Sequence, residues 1–449
     1  MAVSEAAPAL AGALAALGRA GFEEAEAYVK SGRSRRLALG AGGPFAGFAH
    51  ERGWAVRASG RRASFAAAGT GVLPAGGPWP EPDGEPFRLP DPGPAEPWSA
   101  PDDLDAPLIG EAEGLRLLES LGAALAAEVP GARLTAAVLE DGAADHALAN
   151  ARGVEARWRS RVASLAVEAA GPAGRDREPA TADLRLAERE ARRFHPPALA
   201  RRLADRLAVT AAGAEPAADR AELLLAPAVA ARLLAGLAPL LVGPEAAALA
   251  AELRDRRGRV ASDAVTVIDD GRLPGGALAA PCDGEGVPTR AVTLIESGEY
   301  RQPLLAWHQA RGPGVAAAGC SRRPSWRDLP APGPTHLYLR PRRGVAAGSL
   351  LAGLARGYYL LDAAGAGSFD PAADRFSLPV CGFAVTGGRA VAPVSRAVLA
   401  GGIGALLRGV QAVARDLAFL PLDGMIGAPS LLVTGLELRP AGSNGGEDG

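Results

Sequence analysis

Two carboxylates, Asp283 and Glu285, flank a glycine in the turn Pro281-Cys-Asp-Gly-Glu-Gly-Val-Pro-Thr289. Acids so spaced can hold a cation, orient a peptide amine, or accept hydrogen bonds from backbone N–H groups, and spacing alone favours the last role. Strand-like runs at 264–270 and 291–295 bracket this turn, and a Gly-containing hairpin signal at 296–299 closes the stretch. Two strands around a Gly/Pro-punctuated loop suggest a ligand-facing or peptide-facing edge. Asp283, Glu285, Gly286, Val287, Pro288 and Thr289 are therefore the candidate substrate-binding residues.

Other chemistry is sparse. A zinc centre needs several ligands converging, and His50, His146, His195, His308 and His336 stand isolated, with no HExxH pair. Each is read singly as a surface or hydrogen-bonded core histidine. No GxSxG nucleophile elbow occurs. The glycines of 365–367 and 402–404 are too incomplete for a phosphate loop and suit tight turns. Arg157, Arg159 and Arg161, and Arg340, Arg342 and Arg343, form two basic clusters of a kind that can grip phosphate. A net charge of −2 without an aromatic stacking series argues against it. Cys320 precedes Ser321-Arg322-Arg323, whose charges would lower a thiol pKa. No histidine lies near it in sequence.

The elements that must position these groups divide the chain of 449 residues into two parts. Residues 5–21 place Leu10, Leu14 and Leu17 at helical spacing; short strands follow at 25–31, 35–40, 53–59 and 64–68. Residues 76–107 are proline-dense, which removes backbone donors and precludes regular structure. This stretch reads as a surface connection rather than a docking motif. A helix at 110–129, a strand at 134–140, a hairpin-like pair within 154–169 and a charged helix at 187–208 complete the first part. An apolar helix is expected at 223–242 and another at 404–417. Short strands at 335–339, 357–361, 382–386, 389–393 and 430–436 alternate with Gly/Pro turns. The expected fold is α+β in two domains. Residues 1–208 form an α/β domain, 209–440 a β-rich sandwich or pseudo-barrel, and 441–449 a disordered tail.

Hydrophobic residues make up 48% of the chain and aromatics 5%, so the core is built mainly of Ala, Val and Leu. Lys30 is the sole lysine; arginine carries the remaining positive charge. Cys282, Cys320 and Cys381 are few and far apart, which fits a reducing cytoplasm better than a disulfide scaffold. No apolar run is long enough to span a bilayer, and the near-neutral charge gives no pull toward nucleic acid or an anionic membrane.

The order of several stretches resembles the TldD/PmbA family, also called modulators of DNA gyrase. The resemblance rests on residues 265–271, 283–289 and 294–298, then 319–323, 357–361, 365–370, 382–388 and 428–433. It is looser at 51–57 and 60–65. The resemblance implies the two-domain fold and work within a heterodimeric zinc metallopeptidase. In that family one subunit type carries HExxxH on a helix before the acidic loop, and a cysteine near the C-terminus. Here the helix reads Ala235-Gly-Leu-Ala-Pro-Leu240, and the C-terminal position reads Asp423-Gly-Met-Ile-Gly427. The implied role is the TldE/PmbA-type subunit, with no catalytic residue and no metal ligand of its own, paired with an HExxxH-bearing TldD-type partner that holds zinc. Unfolded peptide is the implied substrate, bound by pairing with an exposed strand edge. A stand-alone binding or regulatory protein, and an autonomous hydrolase using Cys320 or the Asp283/Glu285 pair, remain as alternatives.

Overall fold

The computed structural model describes all residues except 1–5, 78, 95–96, 173–178, 213, 217–220, 244–245, 247–257, 311–316, 364–366 and 442–449. The tail expected after 440, and part of the glycine run at 364–367, therefore lie outside the described residues. The architecture is α+β, with an N-terminal helix-and-sheet part and a strand-rich C-terminal part, as the residue pattern implies.

The first part is a six-stranded sheet in the order β3-β2-β1-β4-β5-β6. Its strands are β1 (Glu24–Gly40), β2 (Gly43–Ser59), β3 (Ser64–Thr70), β4 (Arg133–Asn150), β5 (Glu155–Ala170) and β6 (Thr181–Glu188). All pairings are antiparallel. The short strands expected at 25–31 and 35–40 are one continuous strand, and 53–59 is the far half of another. The residues between them, poor in alternation, are held by ladder bonds from Glu24↔Ser59 to Gly40↔Gly43. Likewise 154–169 is a single strand rather than a hairpin, since its partners lie on β4 and β6.

Strand alternation gives this sheet two faces with different duties. Odd positions of β1, such as Ala25, Ala27, Val29 and Leu37, are buried under helices α1 (Ala6–Arg19) and α2 (Glu111–Glu128). Helix α2 presents Leu118, Leu121 and Leu125 to Leu139, Leu165 and Val167, and α3 (Pro196–Ala212) adds Leu199, Leu203 and Leu207. Each such fully buried leucine stabilises the fold by roughly 1.5–3 kcal/mol. Even positions of β1 face the other way, toward the C-terminal part. The proline-dense stretch runs along the sheet rather than away from it. The Phe87 N–H bonds Ser59 Oγ at 2.9 Å, Leu89 is fully buried, and Asn150 Nδ2 donates to the Pro90 carbonyl at 2.9 Å.

The second part opens with a correction. Residues 223–225, expected to open a helix, lie instead in strand β7 (Glu222–Leu225), and helix α4 (Pro227–Leu237) starts only after it. Pro227 at the first helical turn needs no N–H donor there. A seven-stranded run, in the order β18-β21-β7-β14-β16-β17-β22, surrounds α4 on one side. It comprises β7, β14 (Arg356–Ala363), β16 (Arg375–Thr386), β17 (Arg389–Gly401), β18 (Val410–Val413), β21 (Leu431–Val433) and β22 (Glu437–Pro440), with β15 (Ser368–Asp370) added beside β16. The helix expected over 404–417 stops at 409, and 410–413 pair with β21 instead.

The other sheet reads β10-β9-β8-β13-β20-β19. Its members are β8 (Val267–Asp270), β9 (Ala291–Glu296), β10 (Glu299–Tyr300), β13 (His336–Leu339), β19 (Ala418–Leu422) and β20 (Gly424–Ala428). Between them, β11 (Ser321–Arg322) and β12 (Ala331–Pro332) pair as a two-stranded ribbon. The hairpin expected at 296–299 is present. Ser297 and Gly298 both adopt positive φ, 47° and 81°, as its tight turn requires. Packed between the sheets, α4 contributes Val229, Leu233, Leu234 and Leu237 to a core shared with Val267, Leu294, Leu337 and Ile426.

Candidate functional site at the domain seam

The even face of the N-terminal sheet meets the loop 281–289 and the segment 319–326. Gly53 is required here: a Cβ at that position would lie 2.0 Å from the Trp326 indole, which is itself 2% exposed. Gly286, at φ 79°, similarly brings the acidic loop within van der Waals reach of Val154 and Leu148. Backbone-to-ring contact of this kind leaves no room for a side chain.

A buried charge network crosses the seam. Arg57 on β2 donates to Glu26 on β1 at 3.0 and 2.8 Å and to Glu285 at 2.8 Å. Arg323 pairs with Glu26 Oε1, which Arg57 also bonds, and donates to the Gly284 carbonyl at 2.8 Å. Glu285 also accepts from the Ser321 hydroxyl. Burial opposes charge on Glu26, but Arg57 and Arg323 outweigh it and hold that carboxyl below its usual value. Asp283 is bound differently. Its Oδ1 accepts the N–H groups of Glu285 and Val287 at 2.9 and 3.0 Å, and its Oδ2 that of Ser321 at 2.9 Å. Burial, and then the Glu285 charge, still push Asp283 up to about 7.

These contacts decide what the acidic loop can do. Both carboxylates are engaged inside the protein, the backbone-capping role for Asp283 and an ion-pair role for Glu285. Of the six residues singled out from sequence, Asp283 and Thr289 stand on the wall of a cavity of about 260 Å³ between the two parts. Glu285, Gly286, Val287 and Pro288 are not on that wall; Glu285 is 1% exposed and Gly286 packs on the N-terminal sheet. Two of the six thus face this cavity and four do not. Strand β8, one of the two proposed edges, is also interior, paired to β9 on one side and β13 on the other.

The opposite wall of the cavity was not singled out from sequence as a site. It consists of Tyr28 and Lys30 on β1, His146 on β4, and Trp158 and Ser160 on β5. Register places Lys30 opposite His146 and His146 opposite Trp158, so all share one face. The rings of His146 and Trp158 stack at 4.8 Å and 2°. Tyr28 Oη lies 2.8 Å from His146 Nδ1, and His146 Nε2 lies 2.8 Å from Ser160 Oγ. Burial and then Lys30 depress His146 to about 3, so the ring is neutral at physiological pH. Only the period-2 alternation could have signalled these residues, and it does not reveal which strands are neighbours.

The remaining candidates separate in space or are consumed. Cys320 is 1% exposed; burial, then the charges of Asp283 and Asp269, raise its thiol well above the usual range, opposite to the expectation from Arg322 and Arg323. Arg159 pairs with Asp105 and Asp145, and Arg161 with Asp141, so that cluster offers no common grip. His336 is a core histidine, accepting the Leu278 N–H at 3.2 Å and bonded to the Asp270 carbonyl at 2.9 Å.

The stretch 235–240 ends α4 and passes into a 3-10 turn, Ala238–Leu240, containing Pro239. Its side chains offer no nitrogen, oxygen or sulfur donor. A Cβ at Gly236 would lie 2.3 Å from the Phe369 ring, which occupies the space any longer side chain would need. The segment 423–427 forms the turn and start of the β19–β20 hairpin and likewise carries no thiol. Zinc does not fit these residues, and among the described residues no cluster of three metal-ligating side chains occurs. No helix there is long and apolar enough to cross a membrane.

Comparison with known proteins agrees with this anatomy. Residues 218–439 match the family described as PmbA/TldA metallopeptidase C-terminal domain. The chain is 27% identical over 170 residues to a metalloprotease TldD homolog of Buchnera aphidicola, covering 38% of this chain and 35% of the relative. It is 33% identical over 81 residues to the Haemophilus influenzae TldD homolog, covering 18% of this chain and 17% of the relative. The matches thus span about a third or less of the length of these curated relatives. Among solved structures, TldE from Thermococcus kodakarensis superposes with a TM-score of 0.83 at 18% identity, covering 96% of this chain and all of that one. A Thermotoga maritima protein described as a candidate modulator of a DNA gyrase gives 0.75 at 19%, covering 93% and 96%. With the loop order, the two-part architecture and the matched C-terminal half in accord, the chain belongs to the TldD/PmbA family, whose name is attached to metallopeptidases.

Proposed function

We propose that this chain is the subunit without metal ligands in a TldD/TldE-type heterodimeric peptidase, acting on unfolded peptides in the cytoplasm. The observation that carries this reading is the pairing of Gly236 with Phe369: the helix that bears HExxxH in the partner type ends here in apolar residues, and its vacant volume is filled by a ring. A TldD-type partner would hold zinc, which when bound lowers the pKa of a water molecule and polarises a carbonyl.

This chain's own residues supply substrate binding. The seam between its two parts is fixed by Trp326 against Gly53 and by the Glu26–Arg57–Glu285 ion pairs, so the cavity beside it is a rigid, preformed wall. Asp283 and Thr289 contribute from the loop, and Tyr28, Lys30, His146, Trp158 and Ser160 from the sheet. Fixed walls lower the entropy lost when a flexible peptide binds.

Co-expression with an HExxxH-bearing paralogue from the same cell tests the reading. The expected result is a stable pair that retains zinc through dialysis and cleaves an unfolded peptide, while this chain alone does neither. Zinc retention or cleavage by this chain alone would place the site elsewhere and end the accessory-subunit reading.

A further inference from the structure

The direction of the hydrogen bonds along Tyr28, His146 and Ser160 can be worked out. Burial raises the Tyr28 phenol, so it keeps its proton. Among the described residues, the hydrogen-bond acceptor beside that hydroxyl is His146 Nδ1, at 2.8 Å. Tyr28 therefore donates to Nδ1. Neutral imidazole then carries its single proton on Nε2 and donates it to Ser160 Oγ, 2.8 Å away. With an oxygen lone pair of Ser160 so occupied, its own O–H is left to point into the cavity. The same assignment removes Ser160 as a His-activated nucleophile, because Nε2 has no lone pair to take its proton.

A donor chain ending in a hydroxyl wants an acceptor, and the charges around it specify which kind. Lys30 lines the same cavity and has no carboxylate within ion-pair reach among the described residues. Arg322 is there too, bonded to the Pro334 carbonyl and offset by the charges of Asp423 and Asp269. Arg323 and Arg161 also line the cavity but are neutralised by Glu26 and Asp141. The carboxylate on the wall, Asp283, has its oxygens covered by three backbone N–H groups. Lys30 thus brings positive charge into the cavity without an acid partner among the described residues, and the Ser160 O–H lies beside the Trp158 face. Its volume, about 260 Å³, accommodates one or two amino-acid residues.

We propose that this cavity binds a carboxylate of the peptide substrate, with Lys30 as its counter-ion, Ser160 as a hydrogen-bond donor and Trp158 as the platform for the adjoining side chain. The inference rests on the peptide reading above and names where one end of that peptide sits. The carboxylate has two sources, the peptide C-terminus or an acidic side chain. Tyr28 and His146 act as positioning residues that set the direction of the Ser160 hydroxyl.

The test uses the full chain and three fluorescently labelled versions of one unfolded peptide, read by anisotropy. One ends in a free carboxylate, one in an amide, and one is amidated but carries Glu at its last position. The free acid should bind at least about tenfold tighter than the plain amide, the worth of one charge-assisted contact. Recovery of affinity by the Glu peptide assigns the side chain as a source; failure to recover assigns the terminus. Lys30→Met should abolish the acid-over-amide preference, and Tyr28→Phe should shrink it. Thermal melts should show both variants folded, and Ser160→Ala gives a second, conservative probe of the same contact. Equal binding of acid and amide by the unaltered chain, binding of neither, or a preference that survives Lys30→Met would overturn the proposal. Pair formation and zinc retention with the paralogue are read separately, so their failure would sink the subunit reading instead.

Discussion

Glu26 and Arg323, 297 positions apart, form a buried ion pair that joins the first strand of the chain to the segment following the acidic loop. Arg57 bonds both oxygens of the same carboxylate. Replacing Glu26 with Gln removes the carboxylate that Arg323 pairs with and leaves Arg57 with Glu285 alone. The expected loss is about 3–5 kcal/mol, the usual cost of breaking a buried pair by removing one partner. Urea denaturation of the variant against the parent measures it, and a loss below 1 kcal/mol would mean the network contributes little.

Trp326 is the apolar counterpart of that network. Its removal to Ala takes away an indole packed directly on the Gly53 backbone, for an expected cost of about 3–5 kcal/mol. The variant should also melt in two steps rather than one, because the contact joins the N-terminal sheet to the C-terminal part. A single, unshifted transition would contradict the role assigned to it.

Gly236 and Phe369 predict that ligands alone cannot restore a metal centre. Introducing His, Glu and His at 235, 236 and 240 should yield protein without retained zinc, because the ring occupies the volume beside position 236. Adding Phe369→Ala to those changes should raise zinc retention after dialysis. Full retention without the Phe369 change would show that the ring is not the obstacle.

The acidic loop has a defined pH signature. Asp283 has a folded-state value of about 7 against 3.8 for the free side chain, so the folded protein holds that proton more tightly. Its contribution to stability is complete below pH 3.8 and disappears as pH rises toward 7. Glu26 has the opposite sign: its lowered value contributes above 4.5 and is lost on acidification. The stability of the parent chain relative to Asp283→Asn should therefore fall as pH rises from 5 to 7. A constant difference across that range would refute the assignment.

Cys320 should be inert. With its thiol buried and raised by burial and by Asp283 and Asp269, it is expected to resist alkylation in the native chain and react fully after denaturation. Cys320→Ala should leave peptide cleavage by the assembled pair within about twofold of the parent. Rapid native labelling would reopen it as a nucleophile.

Local signals in the sequence carried much of the architecture. Leu118, Leu121 and Leu125 spaced one helix correctly, and Ser297-Gly298 announced a tight hairpin turn. Residues 223–225 misled because a short apolar run has no period to separate strand from helix. Residues 43–52 were missed because glycine, proline and exposed aromatics mask their alternation, and only the ladder to β1 makes them a strand. The acidic loop was visible as chemistry, but its direction was not: whether Glu285 faces a ligand or Arg57 depends on a contact 228 positions away. The Tyr28–His146–Ser160 wall was out of reach for the same reason, being assembled by the register of three strands.

The seam also orders events during synthesis. The N-terminal sheet is fully paired once β6 has left the ribosome, yet its even face, with Gly53, Tyr28 and Glu26, waits bare until Arg323 and Trp326 follow. A nascent chain at that stage displays an uncovered half-apolar surface for as long as translation of the intervening segment takes. Pausing within that segment should therefore lengthen the window for aggregation or chaperone capture, whereas pausing after Trp326 should not.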